Sequence, residues 1–454
     1  VTVIDPVQRA GALGAQLRQL GRRWPGNDEY FVRSGRLRRA VGLTLEAEGC
    51  DAPMGARVQI LSGAEGREVS AEVVGFAHGR TLLMPLEHAA ELTPDAVVLR
   101  RGDGVARIGP EWLGRVVNAN GRALDGGADP RGSRSSHALP PPINPLSRRR
   151  ITRPLDVGVR AINGVLALGR GQRIGLFAGS GVGKSTLLGM MTRNTNADVV
   201  VVGLIGERGR EVADFVHDTL GPEDLARACV VAAPADAPPL ARLRGAWLAT
   251  AVAEYFRDRG QSVLLLMDSL TRFAHAGREI GLATGEAPAT RGYPPSALAR
   301  LPQLVERAGN TDGPGSITAI YTVLVDGDDL QEPVADAARA VLDGHIVLSR
   351  AIAESGRFPA IDIEASVSRV MDAVTDPLQQ QAARRLRRLL AAYSAHRDLI
   401  TIGAYKAGSD PDTDEAIARW SRIEAFLRQD TREAADLDSA RRALQAIFED
   451  KGTP

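Results

Sequence analysis

Cysteine is nearly missing from this 454-residue chain, which carries only Cys50 and Cys229. Two thiols exclude a disulfide-stapled scaffold and point to a reducing cytoplasm. Long hydrophobic runs are missing too. The longest, such as 199–205 and 263–267, fall far short of the roughly 18 apolar residues a membrane span needs. No secretory pattern opens the sequence, so a cytoplasmic location is expected. Aromatic residues are 4%, and no segment interleaves them with basic ones. Nor is there an excess of one charge: 56 Lys+Arg against 55 Asp+Glu leaves +1. Both shortages argue against a nucleic-acid partner. Lysine is the scarcest charged residue, present only as Lys184, Lys406 and Lys451.

What is present is enough to fold. Hydrophobic residues at 44% with 24% charged exclude general disorder. At roughly 150 residues per domain the length suggests about three domains. Val7, Leu13, Leu17 and Leu20 recur at helical spacing among arginines, predicting an amphipathic helix over 1–24. Such a helix packs on its own protein or docks into a partner's groove. Over 25–125 the pattern changes to short alternating runs, at 37–45, 57–61, 68–76, 80–84 and 97–99, punctuated by Gly and Pro. A small β-barrel is expected there. A loop-rich stretch at 126–154 reads as a linker, with Arg148, Arg149 and Arg150 as a solvated charge run. From 155 to 376 apolar strands alternate with helical segments, as in a parallel α/β sheet. Residues 377–454 are rich in Ala, Leu and Arg and read as a helical C-terminal domain.

The segment Ala178-Gly-Ser-Gly-Val-Gly-Lys-Ser185 lies between an apolar strand and a helical stretch. That is the context a phosphate-binding loop requires. Gly179, Ser180, Gly181, Val182 and Gly183 would turn backbone N–H groups toward phosphate oxygens, with Thr186 just inside the helix. Lys184 would neutralise the β and γ phosphates, and the Ser185 hydroxyl would hold Mg²⁺. The first position is Ala178 where the strict pattern has Gly. A second metal-side group is Asp268, which ends the apolar run 263–267, since a buried carboxylate needs a cation or a donor. Glu207 follows the run 199–205 and could polarise a water for attack on the γ-phosphate. Spacing alone also allows Glu207 a surface ion pair with Arg208 or Arg210.

Three segments together resemble the rotary ATPase superfamily: 175–188, Gly203-Leu-Ile-Gly-Glu-Arg-Gly-Arg-Glu211, and Asp268-Ser-Leu-Thr-Arg-Phe273. Ala289-Thr-Arg-Gly-Tyr-Pro-Pro295 and Ser366-Val-Ser-Arg369 add to the match, which is closest to the flagellum-specific export ATPases of type III secretion. The resemblance implies an α/β fold: a RecA-like P-loop ATPase core with an N-terminal β-barrel and a C-terminal helical domain. It implies a homohexamer with sites between subunits, using ATP and Mg²⁺ at the cytoplasmic face of the inner membrane, at the flagellar base. The implied partners are a stator-like regulatory subunit at the N-terminus, a central stalk-like protein, export chaperones and flagellar substrates, and the membrane export gate. Carried over by residue, Lys184, Glu207 and Arg208 are catalytic, with Arg208 reaching the γ-phosphate or a neighbour. Asp268 and Arg272 support the metal, and Arg369 is an arginine finger acting across the interface. Phe358 stands where the synthase's catalytic subunit has an adenine-stacking Tyr; the π-face survives and the hydroxyl does not.

Alternatives are a virulence type III secretion ATPase, a catalytic or inactive ATP synthase subunit, a hexameric RNA translocase, and a nonenzymatic scaffold. Glu207 opposes the inactive reading, and the stretches Ile402–Pro411 and Asp414–Ile417 look unlike the synthase's acidic lever region.

Overall fold

The structure is a computed structural model that describes residues 34–62, 67–89, 92–101, 106–136, 143–325, 329 and 331–449. The amphipathic stretch within 1–24 lies outside these residues.

Six strands close into a barrel: Ser34–Val41, Thr44–Glu48, Arg57–Ser62, Arg67–Ala77, Arg80–Pro85 and Val97–Arg100. Alternation drives it. In Arg57–Ser62 every second side chain is buried, so Val58 and Ile60 join Leu45, Ala71, Leu83 and Val98 in one core. The run 37–45, read as one strand, is in fact two. Gly42 holds φ at 57°, and the chain folds back there, pairing Ala40 with Leu45. A left-handed residue that only glycine adopts freely ends the first strand.

The second body is a nine-stranded sheet. Its main path runs Ile361–Ser368, Gly344–Leu348, Arg173–Ala178, Ser316–Leu324, Ser262–Asp268, Val199–Ile205, Ala228–Ala233 and Arg115–Asn118. All neighbours are parallel except Ile361–Ser368, which runs antiparallel to Gly344–Leu348. Helices cover both faces, which is why Val199–Ile205 and Ser262–Asp268 are buried at every position and read as unbroken apolar runs. Strand Arg115–Asn118 falls in the stretch assigned to the barrel, yet it pairs with Ala228–Ala233 at the sheet's edge. The stretch read as a linker also holds a strand, Arg134–Ser136, paired with Ala106–Ile108.

The C-terminal helices Pro377–Thr401, Pro411–Leu427 and Leu437–Ala446 pack on one face of the sheet. Leu386, Leu389, Ile423, Phe426 and Leu444 share a core there with Leu187 and Met190 of the phosphate-loop helix. In the run read as solvated, Arg149 and Arg150 are exposed and Arg148 is part-buried, but Arg148 and Arg149 also hold backbone carbonyls. Arg148 donates to the Ala308 carbonyl at 2.9 Å, and Arg149 to those of Thr311 and Gly315 at 3.0 and 3.2 Å. They bond the chain that leads into the central strand Ser316–Leu324.

Barrel and sheet are joined by a buried ion pair. Arg244 Nε, from helix Pro239–Arg257, donates to Glu72 Oε2 of the barrel at 2.5 Å. Burial raises the Glu72 carboxyl above its ordinary range, while the Arg244 charge works against that shift.

Candidate active site at the sheet edge

Parallel strands place their C-terminal ends along one edge, where ligands bind in α/β folds. Strand Arg173–Ala178 ends there in the loop 179–183, and the helix Lys184–Asn194 follows. Gly181 and Gly183 hold φ at 79° and 92°, left-handed values that make the loop turn tightly. Gly183 is the helix N-cap and offers no side-chain acceptor. The helix's first N–H groups are thereby left for an anion, and its dipole favours one. Ser180, Ser185 and Thr186 are exposed on this edge, whereas Val182 is buried beneath the loop.

Lys184 turns back over the neighbouring strands. Its ammonium lies 2.6 and 2.7 Å from the two carboxylate oxygens of Asp268 and 3.5 Å from Glu207 Oε1. The three side chains are nearly enclosed, at 11%, 6% and 12% exposed. Burial disfavours the charged lysine, but Asp268 and Glu207 outweigh it and hold its pKa above the ordinary value. Asp268 Oδ1 also accepts from the Thr322 hydroxyl at 2.6 Å. Thr322 lies on Ser316–Leu324, the strand between the loop strand and the Asp268 strand. Sequence inspection missed it, because a Thr inside an apolar strand looks like ordinary β-propensity.

Glu207 leaves Val199–Ile205 through Gly206, and its carbonyl accepts from Ala235 N at 2.9 Å. Burial and the nearby Asp268 carboxylate push its carboxyl up to about 7, against the pull of Lys184. Oε1 is buried without a hydrogen-bond partner. The surface pairs allowed by spacing go elsewhere: Arg208 binds Glu211 at 3.1 Å and Arg210 binds Asp214 at 3.5 Å. Arg208 is 83% exposed, so within this chain it does not turn to the loop. Arg272 does stay close: a Cβ on Gly206 would fall 2.6 Å from Arg272 Cβ, so only glycine lets the stem pass. Arg272 Nε is buried and unpartnered.

Phe358 lines an open groove of about 320 Å³ beside the loop, with Val182, Thr186, Met190, Pro359 and Gln429. Its ring is half exposed, and a Cβ on Gly183 would lie 3.8 Å from it. Gln429 was missed by sequence reading. It is buried, donates its backbone N–H to the Phe358 carbonyl at 3.0 Å, and bonds Gly158 O and Arg160 N at 2.8 and 2.7 Å. The C-terminal helical region thus supplies one wall of the groove.

Arg369 lies elsewhere. It follows Ile361–Ser368, whose last residue pairs with Gly344, at the N-terminal edge of the parallel sheet. There Arg369 N donates to Asp343 O at 3.1 Å, and Asp343 holds Arg173 at the start of the loop strand. The strand 173–178 separates Arg369 from its own loop by about 17 Å of rise.

The donor set suits Mg²⁺: the Asp268 carboxylate and the Ser185 hydroxyl beside a phosphate loop, with Glu207 Oε1 lacking any hydrogen bond. Among the described residues no group of three or more His, Cys, Asp or Glu forms a closed cage. A small hard cation held jointly with substrate phosphates needs none.

Residues 158–368 match the ATP synthase alpha/beta family, nucleotide-binding domain, and 375–446 match the T3SS EscN ATPase C-terminal domain. The chain is 56% identical over 427 residues to the flagellum-specific ATP synthase of Salmonella typhimurium, covering 92% of this chain and 94% of that one. It superposes on the assembled ATPase EscN of the enteropathogenic E. coli type III secretion system with TM-score 0.86 and 41% identity, covering 91% and 99%. EscN in complex with its central stalk EscO matches with TM-score 0.84 at the same identity and coverage. A phosphate loop closed by Lys184, Asp268 and Glu207, on a chain matched from barrel to C-terminal helices, fixes the affiliation: it belongs to the flagellum-specific ATP synthase family, a branch of the ATP synthase alpha/beta family.

Proposed function

We propose that this chain is the ATPase of a flagellar type III protein export apparatus, hydrolysing ATP to ADP and phosphate with Mg²⁺ to promote chaperone release and substrate unfolding. The observation that carries the reading is the convergence of Lys184, Asp268 and Glu207 beside the loop glycines. The 56% identity to a flagellum-specific relative, against 41% to the injectisome ATPase EscN, favours the flagellar branch.

In this reading the loop amides and Lys184 hold the phosphates, and the ammonium draws γ-phosphate charge toward itself as the bond to ADP breaks. Ser185 and Asp268 hold the metal side. Mg²⁺, when bound, would supply charge neutralisation to the β- and γ-phosphates. Glu207 orients a water in line and takes up its proton on the carboxylate. Phe358 stacks on the adenine. Arg208 and Arg369 act at subunit boundaries, Arg369 as a finger on the next subunit's phosphate. Its place at the edge opposite its own loop supports that assignment.

A finger that serves a neighbour needs an oligomer, and likeness to assembled EscN and to its stalk complex supports reading it as a homohexameric ring with a central stalk-like partner. The stator-like partner is assigned to the first 24 residues. Cytoplasmic placement at the flagellar base, with peripheral contact to the export gate, completes the reading. Among the described residues no helix is long and apolar enough to cross a membrane. The test is complementation: a motile bacterium lacking its own flagellum-specific ATPase should regain flagella with this chain. It should not with Lys184→Ala, and purified protein should release phosphate from ATP only with Mg²⁺.

A further inference from the structure

A second cavity, of about 430 Å³, lies where the barrel meets the sheet. It is lined by Arg57, Arg107, Arg131 and Arg244, with Asn120 and Trp112. Arg57 comes from barrel strand Arg57–Ser62, and Arg244 from the core helix Pro239–Arg257. Arg107, Asn120 and Arg131 come from the connecting chain. Asn120 follows strand Arg115–Asn118, five strands from the phosphate-loop strand in the sheet order. At roughly 4.8 Å per strand that is about 24 Å from the ATP site.

Charge in this cavity is unbalanced. Against four guanidinium groups stand Glu72, already bound to Arg244, and Glu87, whose Oε1 accepts from Asn120 Nδ2 at 3.5 Å. Arg57 Nε is buried without a hydrogen-bond partner, and so is Asn120 Oδ1. Burial, followed by the Arg244 charge, lowers the pKa of the part-buried Arg57. An unmatched buried guanidinium costs free energy, and an orphaned acceptor beside it costs more. Four guanidinium groups lining one void, against the Glu72 and Glu87 carboxylates, call for an anionic occupant. Forked guanidinium groups suit phosphate oxygens above other anions. The volume falls in the small-molecule range of roughly 300–1,000 Å³. Arg107 and Arg131 are exposed and stand at the open side, where they would draw an anion in.

We propose that this seam binds a small phosphate ester, with its phosphate on Arg57, Arg107 and Arg131. Because the site joins barrel to core, its occupant fastens the two together, independently of the ATPase reading.

The probe is ribose 5-phosphate, with unphosphorylated ribose as control, titrated by calorimetry into full-length Lys184→Ala so that the loop does not compete. Saturable binding is expected, with a rise in melting temperature that ribose does not give. Arg57→Met should weaken binding at least tenfold, Arg57→Lys less, and Arg131→Ala severalfold. On the unsubstituted chain the same titration should show a component that Arg57→Met removes. Ligand-free Arg57→Met should melt no lower than its parent, since it removes an unmatched charge. A lower melting temperature for that variant, no saturable ribose 5-phosphate binding, or binding indifferent to Arg57→Met would each overturn the proposal.

Discussion

Lys184 and Asp268 stand 84 residues apart and meet through both carboxylate oxygens, at 2.6 and 2.7 Å, with the Thr322 strand passing between the phosphate-loop strand and the Asp268 strand. The lysine proposed for phosphate thus pairs with the carboxylate proposed for metal, and their charges balance. Lys184→Ala should lower kcat/KM for ATP by at least about 10²-fold, comparable to losing one charge-stabilising donor. Thr322→Val should lower kcat on the order of tenfold with KM little changed, because the hydroxyl acts through Asp268. Steady-state phosphate release measures both.

Glu207→Gln should bind ATP as well as its parent and lower kcat about 10²–10⁴-fold, the usual worth of a general base. It also carries a pH signature. The folded carboxyl titrates near 7, above the ordinary glutamate value of 4.5. Its contribution to stability is therefore complete below pH 4.5 and is lost as pH rises through 7. Denaturant unfolding of metal- and nucleotide-free protein should show stability falling between these values, and Glu207→Gln should flatten that slope.

Arg369 works for a neighbour if its place at the far sheet edge is functional. Arg369→Ala should bind ATP yet turn over about 10³–10⁵-fold more slowly, the range for arginine fingers. Mixed with Lys184→Ala, it should regain part of the activity, through interfaces that join an intact loop to an intact finger. Mixed oligomers confirmed by mass but without activity would return Arg369 to its own subunit.

Phe358→Ala should raise KM for ATP, with a loss of about 1–3 kcal/mol in binding typical of base–aromatic stacking. Phe358→Tyr should keep it, because the ring is what the groove beside Gly183 presents. Nucleotide titration separates this from a defect in turnover.

The Glu72–Arg244 pair joins the two bodies with both side chains 7% exposed. Glu72→Ala should cost about 3–5 kcal/mol, because it strands a buried guanidinium. Replacing both residues by Met should cost far less. Urea midpoints of the two variants decide it.

The sequence by itself determined the chemistry available. Glycines at 181 and 183, an Asp after five apolar residues and a Glu one glycine beyond the run 199–205 are local facts, and local backbone physics turns them into a phosphate loop and two strand-end carboxylates. The barrel, the parallel sheet and the helical C-terminal region were likewise legible, because periodicity is a property of neighbouring residues. Only the tertiary structure decided which groups meet. Sheet order is set by packing rather than by chain order. That is how Arg115–Asn118 left the barrel for the sheet, Thr322 came under Asp268, and Gln429 reached the Phe358 turn. Arg148 and Arg149 read as solvated charge because their partners, backbone carbonyls and for Arg148 also the Glu306 carboxylate, lie some 160 residues away. Arg369 needed the antiparallel turn of Ile361–Ser368 to carry it to the opposite edge. Distances between strands belong to the fold, and a catalytic site assembled from four strands exists only once they lie side by side.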